Sequence, residues 1–128
     1  MKQQNKQTGS TGEQVAAEHL QQAGYTIVAR NWGNRWGEVD IIAKTRIQSS
    51  EFKMDEVVVF VEVKTKTGHR YGEPWEMVNS WKIGQVKRMG ELWCLEHDYQ
   101  GRVRFDVVGV WLDESGDVER VEHWESVE

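Results

Sequence analysis

One cysteine and one proline stand in a chain of 128 residues, and no apolar run approaches the length of a bilayer span. The lone Cys94 excludes an intrachain disulfide and any zinc site built from several thiolates. A membrane-crossing helix needs about 20 consecutive apolar residues, which this chain lacks. The opening residues Met1-Lys2-Gln3-Gln4-Asn5-Lys6-Gln7 are polar, without the apolar centre of a secretion signal. These absences point to a cytoplasmic protein with no membrane partner. Positive charge is scarce as well, the formal net charge being -5, and phosphate binding leans on Lys and Arg. The deficit is local, however. Residues 113–128 carry seven acids and one base, whereas residues 1–112 hold 15 Lys plus Arg against 14 Asp plus Glu. A body so near neutrality would bind nucleic acid modestly and with strong salt dependence.

The length fits one domain with a single core. Residues 1–8 read as a disordered polar arm, residues 9–112 as the main domain, and residues 113–128 as an acidic turn and edge strand. Ser10-x-x-Glu13 has the form of a capping box, so a first helix is expected from about Ser10, with Val15, Ala16, His19, Leu20 and Ala23 recurring at helical spacing. Gly24 is placed to stop it. Strands are expected over Tyr25–Arg30 and Trp36–Ala43, joined by a turn at Asn31–Arg35. Lys44–Asp55 reads as a loop or an extended hairpin end. The apolar run Glu56–Lys64 reads as the most buried strand. A loop over Thr65–Pro74, a long helix over about Glu73–Glu96, strands over Arg102–Leu112 and Val118–Trp124, and a turn at Asp113–Asp117 complete the chain. The order of elements implies an α/β domain with a mixed β-sheet flanked by helices.

Two acidic clusters interrupt the apolar strands. They are Gly37-Glu38-Val39-Asp40 and Phe60-Val61-Glu62-Val63-Lys64. An ionised carboxylate is costly in such surroundings, so its presence asks for a partner. With a period of two, Glu38 and Asp40 should share one face, opposite Val39 and Ile41, and Glu62 should share a face with Lys64. If the two strands pair, Asp40 and Glu62 converge on one divalent cation with Lys64 beside them, an arrangement suited to metal-assisted phosphodiester cleavage. The plainer alternative is a cross-strand salt bridge, which is compatible with a metal-free resting state.

The strand pair carrying Asp40 and Glu62-x-Lys64 resembles the active-site motif of the PD-(D/E)xK nuclease superfamily, which has the restriction-endonuclease-like fold. Gly12-Glu13, Ala29-Arg30-Asn31-Trp32, Gly37 to Ala43, Phe60 to Lys64, Tyr71-Gly72 and Arg104 to Val108 together resemble the small bacterial YraN family. That resemblance implies a fold related to Holliday-junction resolvases and an endonuclease-like activity on DNA, branched or damaged, with Mg²⁺ (or Mn²⁺) as cofactor. It implies Asp40, Glu62 and the Val63 carbonyl as metal ligands and Lys64 as the group orienting water or countering phosphate charge. It also gives Glu13 a catalytic part, against the capping-box alternative. Glu38 is a second ligand or a solvated strand end. Asp106 is read as a structural partner of an arginine.

Lys66, Arg70, Lys82 and Lys87 are the candidate phosphate contacts, with a solvated helix face as the alternative. Of seven Trp residues, Trp36 and Trp75 are candidates for stacking on bases, and the others are expected in the core or a dimer contact. The expected partners are accordingly DNA, a second copy of the chain, or a DNA-processing protein docked on the acidic tail. A nucleic-acid-binding module that does not cut, or an interaction subunit, is the competing reading.

Overall fold

The computed structural model describes the backbone of residues 2–68 and 80–127 and the side chains of residues 11–68 and 83–127. Helix α1 spans Lys2–Gln22, and strands β1 (Thr26–Asn34), β2 (Gly37–Ser50) and β3 (Lys53–Thr67) follow. Helix α2 (Ser80–Glu96) then leads into β4 (Arg102–Leu112) and β5 (Val118–Trp124). The strands lie in the order β1-β2-β3-β4-β5. All neighbours are antiparallel except β3 and β4, whose parallel pairing requires the crossover that contains α2.

Burial follows from strand alternation. Odd residues of β3 (Val57, Val59, Val61) pack with Ile41, Ala43, Val108, Val110 and Leu112 under Ala16, Ala17 and Leu20 of α1. Even residues Val58 and Phe60 pack on the other face with Val39, Ile42 and α2 residues Val86, Met89 and Trp93. The central strand is therefore covered on both faces, which explains its unbroken apolar run. Phe60 stacks on Phe105 at 5.4 Å between ring centroids and meets Trp93 edge-on at 5.9 Å. A Cβ at Gly90 would lie 3.0 Å from the Phe105 ring, so a glycine lets α2 settle against this aromatic pair.

Gly24 ends α1 as expected. It sits at φ 94, with Tyr25 N donating to Leu20 O at 2.9 Å and Gly24 N to Gln21 O at 3.1 Å, the paired bonds of a Schellman cap. The helix start differs from expectation. Helix α1 begins at Lys2, upstream of Ser10, through the stretch read as a disordered arm. Its Lys and Gln residues are good helix formers, so the capping-box pattern lies inside the helix instead of opening it. Strand β1 runs through Asn34, past its expected end at Arg30, leaving Arg35 and Trp36 as the turn. Residues 44–55 form the extended hairpin: β2 continues to Ser50 and β3 starts at Lys53. Paired β1 begins at Thr26, opposite Lys44, and β4 at Arg102, opposite Val57, so this hairpin overhangs both neighbours. Phe52 at its tip is 92% exposed. Strands β4 and β5 have the expected bounds. Residues 69–79, including the expected start of the second helix, lie outside the described residues.

A polar network ties β5 and the following residues to the sheet. The Asp106 carboxylate, with no exposed side-chain surface, accepts from Arg104 Nε (2.9 Å) and Nη2 (2.8 Å), from Ser126 N (3.1 Å), and pairs with His123 Nε2 at 2.6 Å. Arg104 also donates to the Tyr25 hydroxyl at 2.6 Å. Asp106 is thus the structural partner of an arginine that its sequence context suggests, and His123 belongs to the same network. Burial raises the Asp106 pKa, but the hydrogen bonds from His123, Arg104 and Ser126 outweigh it and hold the carboxyl below its usual value. Asp106 therefore contributes stability above the unfolded-state value of about 3.9, and that contribution is lost as pH falls through the lower folded value. Asp106→Ala, which strips Arg104 of a buried counter-ion, is expected to cost about 3–5 kcal/mol near neutrality. Urea unfolding should show that difference narrowing at acid pH; a difference independent of pH would refute this account.

Candidate active site at a strand fork

The β2–β3 ladder opens at Ile41 opposite Val61. From Gly37 to Val39, strand β2 pairs with β1 alone. At the opening, Asp40 Oδ2 accepts the main-chain N–H of Val63 at 2.8 Å, so a side chain takes the place that a strand carbonyl would fill. This bond brings Asp40 within one residue of Glu62, whose position lies opposite Asp40 when the register is continued by one step.

Local irregularity accompanies the fork. Asn31 adopts φ 50, and the register of β1 on β2 slips between Ile27 and Ala29. Val39 packs with the α2-side cluster, whereas Ile41 packs with the α1-side cluster. The expected common face for Val39 and Ile41 is therefore corrected: alternation breaks at Asp40. The extra residue of the register slip is Val28 of β1, and the pairing on either side of Asp40 (Arg30 with Ile41, Trp32 with Val39) stays in register.

The break places Asp40 with Glu13 of α1. Glu13 also faces Arg30, whose Nη2 lies 3.9 Å from Glu13 Oε2, and Arg30 Nη1 donates to Gln14 Oε1 at 2.7 Å. With its amide oriented to satisfy both neighbours, Asn31 donates to both Glu13 oxygens (3.1 and 3.2 Å) and to Glu38 Oε1 (2.9 Å). Glu13 is thus a member of the acidic site and not a helix cap. Burial pushes its pKa up most strongly; Asn31, Arg30 and Asp40 pull it back, and the neighbouring Glu38 charge pushes it up again. Net, Glu13 holds its proton above the ordinary glutamate range.

Glu62 stands on the other side of the fork. It is 5% exposed and lies beside Ile83 and Val86 of α2, with Lys64 Nζ 3.6 Å from Oε1. This ion pair runs along β3 and is not the cross-strand bridge that the sequence offers as the plainer alternative. Among the described residues, no three His, Cys, Asp or Glu side chains are grouped closely enough to hold a metal ion. The donors at the fork are nonetheless hard oxygens throughout. They are the carboxylates of Asp40 and Glu62, the Val63 carbonyl, and Glu13 or Glu38 at the margin, a set that suits Mg²⁺ or Mn²⁺ in chemistry.

Of the candidate phosphate contacts, Lys66 follows Lys64 on the same face of β3, and Lys87 leans over the Phe105 ring at 5.9 Å. Arg70 and Trp75 lie outside the described residues, as does the side chain of Lys82. Trp93 and Trp111 are buried, Trp111 beneath the Arg120 guanidinium at 3.6 Å, and Trp36 is exposed. Asn31 was legible only as a turn residue; its signal is the tolerance of Asn for left-handed backbone.

These features define a five-stranded α/β domain compatible with the restriction-endonuclease-like fold, with Asp40 and Glu13 together where the sheet opens and the Glu62–Lys64 pair on the next strand. Residues 12–110 match the uncharacterised protein family UPF0102, and the chain belongs to that family. It is 42% identical over 109 residues to a UPF0102 protein of Clavibacter michiganensis subsp. michiganensis, covering 84% of this chain and 85% of that one. It is similar also to UPF0102 proteins of Mycolicibacterium smegmatis (40% over 114 residues, 88% and 86% covered) and Mycobacterium ulcerans (40% over 114 residues, 88% of each). No helix among the described residues is long and apolar enough to cross a membrane.

Because the folded state disfavours ionised Glu13, its charge costs stability as pH rises from the unfolded glutamate value through the higher folded one, and the full cost remains at neutrality. Glu13→Gln is expected to raise the thermal midpoint at neutral pH and to lose that advantage in acid. Equal midpoints across the whole range would show that Glu13 is not under this pressure.

Proposed function

We propose that this protein is a Mg²⁺- or Mn²⁺-dependent endonuclease acting on DNA, with Asp40, Glu62 and Lys64 at its centre. The observation that carries the reading is the Asp40–Val63 bond, which joins one acidic strand to the other beside the buried Glu62–Lys64 pair. Asp40, Glu62 and the Val63 carbonyl would hold the cation, which when bound supplies Lewis acidity toward a phosphoryl oxygen and a more acidic water. Attack by water forms the new P–O bond as the bond to the leaving oxygen breaks. Lys64 stabilises the negative charge that develops on the phosphate. Glu13, whose pKa is raised, is suited to take up a proton next to Asp40.

In the resting arrangement Asp40 Oδ2 accepts a main-chain N–H, Glu62 Oε1 faces Lys64, and among the described residues no three acidic side chains are grouped to hold a cation. That observation favours a second reading, a nucleic-acid-binding module that does not cut. The near-neutral body agrees with weak binding in either case.

The test is incubation of the purified chain with Mg²⁺ or Mn²⁺ and a panel of single-stranded, duplex, flapped and four-way DNAs. Metal-dependent cutting should fall by about 10²-fold or more in Asp40→Asn and in Lys64→Ala. Cutting that persists in both variants, or that ignores the metal, removes this reading. Binding without any cutting selects the alternative.

A further inference from the structure

Trp36 is the feature of the fork that the acid cluster does not explain. It is 70% exposed, yet its turn is held from two sides. Asn34 Oδ1 accepts the Trp36 N–H at 2.8 Å, and Gln85 Nε2 of α2 donates to Trp36 O at 3.1 Å. Close approach tightens the turn further. A Cβ at Gly33 would collide with the Gly37 carbonyl, and one at Gly37 would lie 3.0 Å from the Gln85 side chain. Arg35 brings its guanidinium carbon to 4.9 Å from the Trp36 ring centroid. A large indole is thus presented to solvent on an anchored two-residue turn, with the Arg35 guanidinium over one face and the other face left for a ligand. Ordinary hydrophobic burial would have packed it away, and the anchoring removes the conformational freedom that a bound indole would otherwise lose.

The turn opens directly into Gly37-Glu38-Val39-Asp40, so only three residues separate the indole from Asp40. At about 3.3 Å per residue along a strand, that is about 13 Å, the scale of two nucleotide steps. We infer that Trp36 and Arg35 form a stacking platform for one unpaired base of a nucleic acid whose backbone runs into the fork. Duplex bases are already stacked on each other and cannot lie flat on the indole, so the platform selects a single-stranded segment. Aromatic stacking tolerates any base, since each has a π-face, while the Arg35 charge serves the adjoining phosphate. The inference deepens the nuclease reading and rests on it: it adds which form of nucleic acid the site takes.

The experiment is fluorescence anisotropy with a labelled oligonucleotide, single-stranded and as the matching duplex, in Mg²⁺. The chain carries Lys64→Ala as the background, to prevent cutting. Trp36→Ala should weaken single-strand binding by about five-fold or more, the low end for loss of one base–aromatic stack. Duplex binding should stay within two-fold, roughly, a shift too small for a lost stack. Trp36→Phe should recover most of the single-strand affinity. The exposed position predicts an unchanged thermal midpoint in both variants. Equal binding by Trp36→Ala and its parent overturns the platform while leaving the nuclease reading intact, as does an equal loss on single strand and duplex. A parent chain that binds neither oligonucleotide overturns the nucleic-acid reading and the platform with it.

Discussion

The candidate site depends on one substitution of partners, in which the Asp40 carboxylate accepts the Val63 N–H where β2 and β3 separate. A strand that leaves its neighbour exposes main-chain donors, and buried donors must be satisfied. A carboxylate that fills that role is pinned in position by the sheet itself. The same bond ties the acidic strand to the strand that carries Glu62 and Lys64. Sheet geometry and site geometry are therefore one constraint.

The molecule treats its buried acids in two ways. Asp106 is surrounded by Arg104, His123 and the Ser126 N–H and is held below its ordinary pKa, a solved electrostatic problem that fastens the last strand. Glu13 is gathered with Glu38 and Asp40 and is pushed the other way. Only in the second arrangement do burial and a neighbouring like charge outweigh the polar partners. Strain of this kind concentrates at functional sites because the rest of the fold supports it. The Asn31 amide and Arg30 keep the crowding tolerable without removing it.

Much of this was legible in residue order, for identifiable reasons. Asp40, Glu62 and Lys64 stood out because acids inside apolar strands demand explanation. Strands β4 and β5 read correctly because continuous apolar and alternating patterns end at Asp113 and Asp117 turn chemistry; Asp113 accepts the main-chain N–H groups of Ser115 and Asp117. The start of α1 was hidden because Ser10-x-x-Glu13 imitates a capping box inside a longer run of helix formers. Asn31 looked like a turn because asparagine tolerates left-handed backbone, which turns commonly use; here it adopts that conformation within β1. The partnership of His123 with Asp106 spans two strands and leaves no local trace.

The overhanging hairpin of β2 and β3 runs past the first paired residues of both β1 and β4. Each side of that ribbon presents main-chain donors and acceptors that the five-stranded sheet does not use, an invitation to edge-to-edge annealing. Lys44, Arg46, Lys53, Asp55 and Glu56 line it, and side chains of both signs discourage a foreign strand from lying alongside. Because the fork lies at the opposite end of these strands, the ribbon can lengthen or shorten without disturbing the carboxylates.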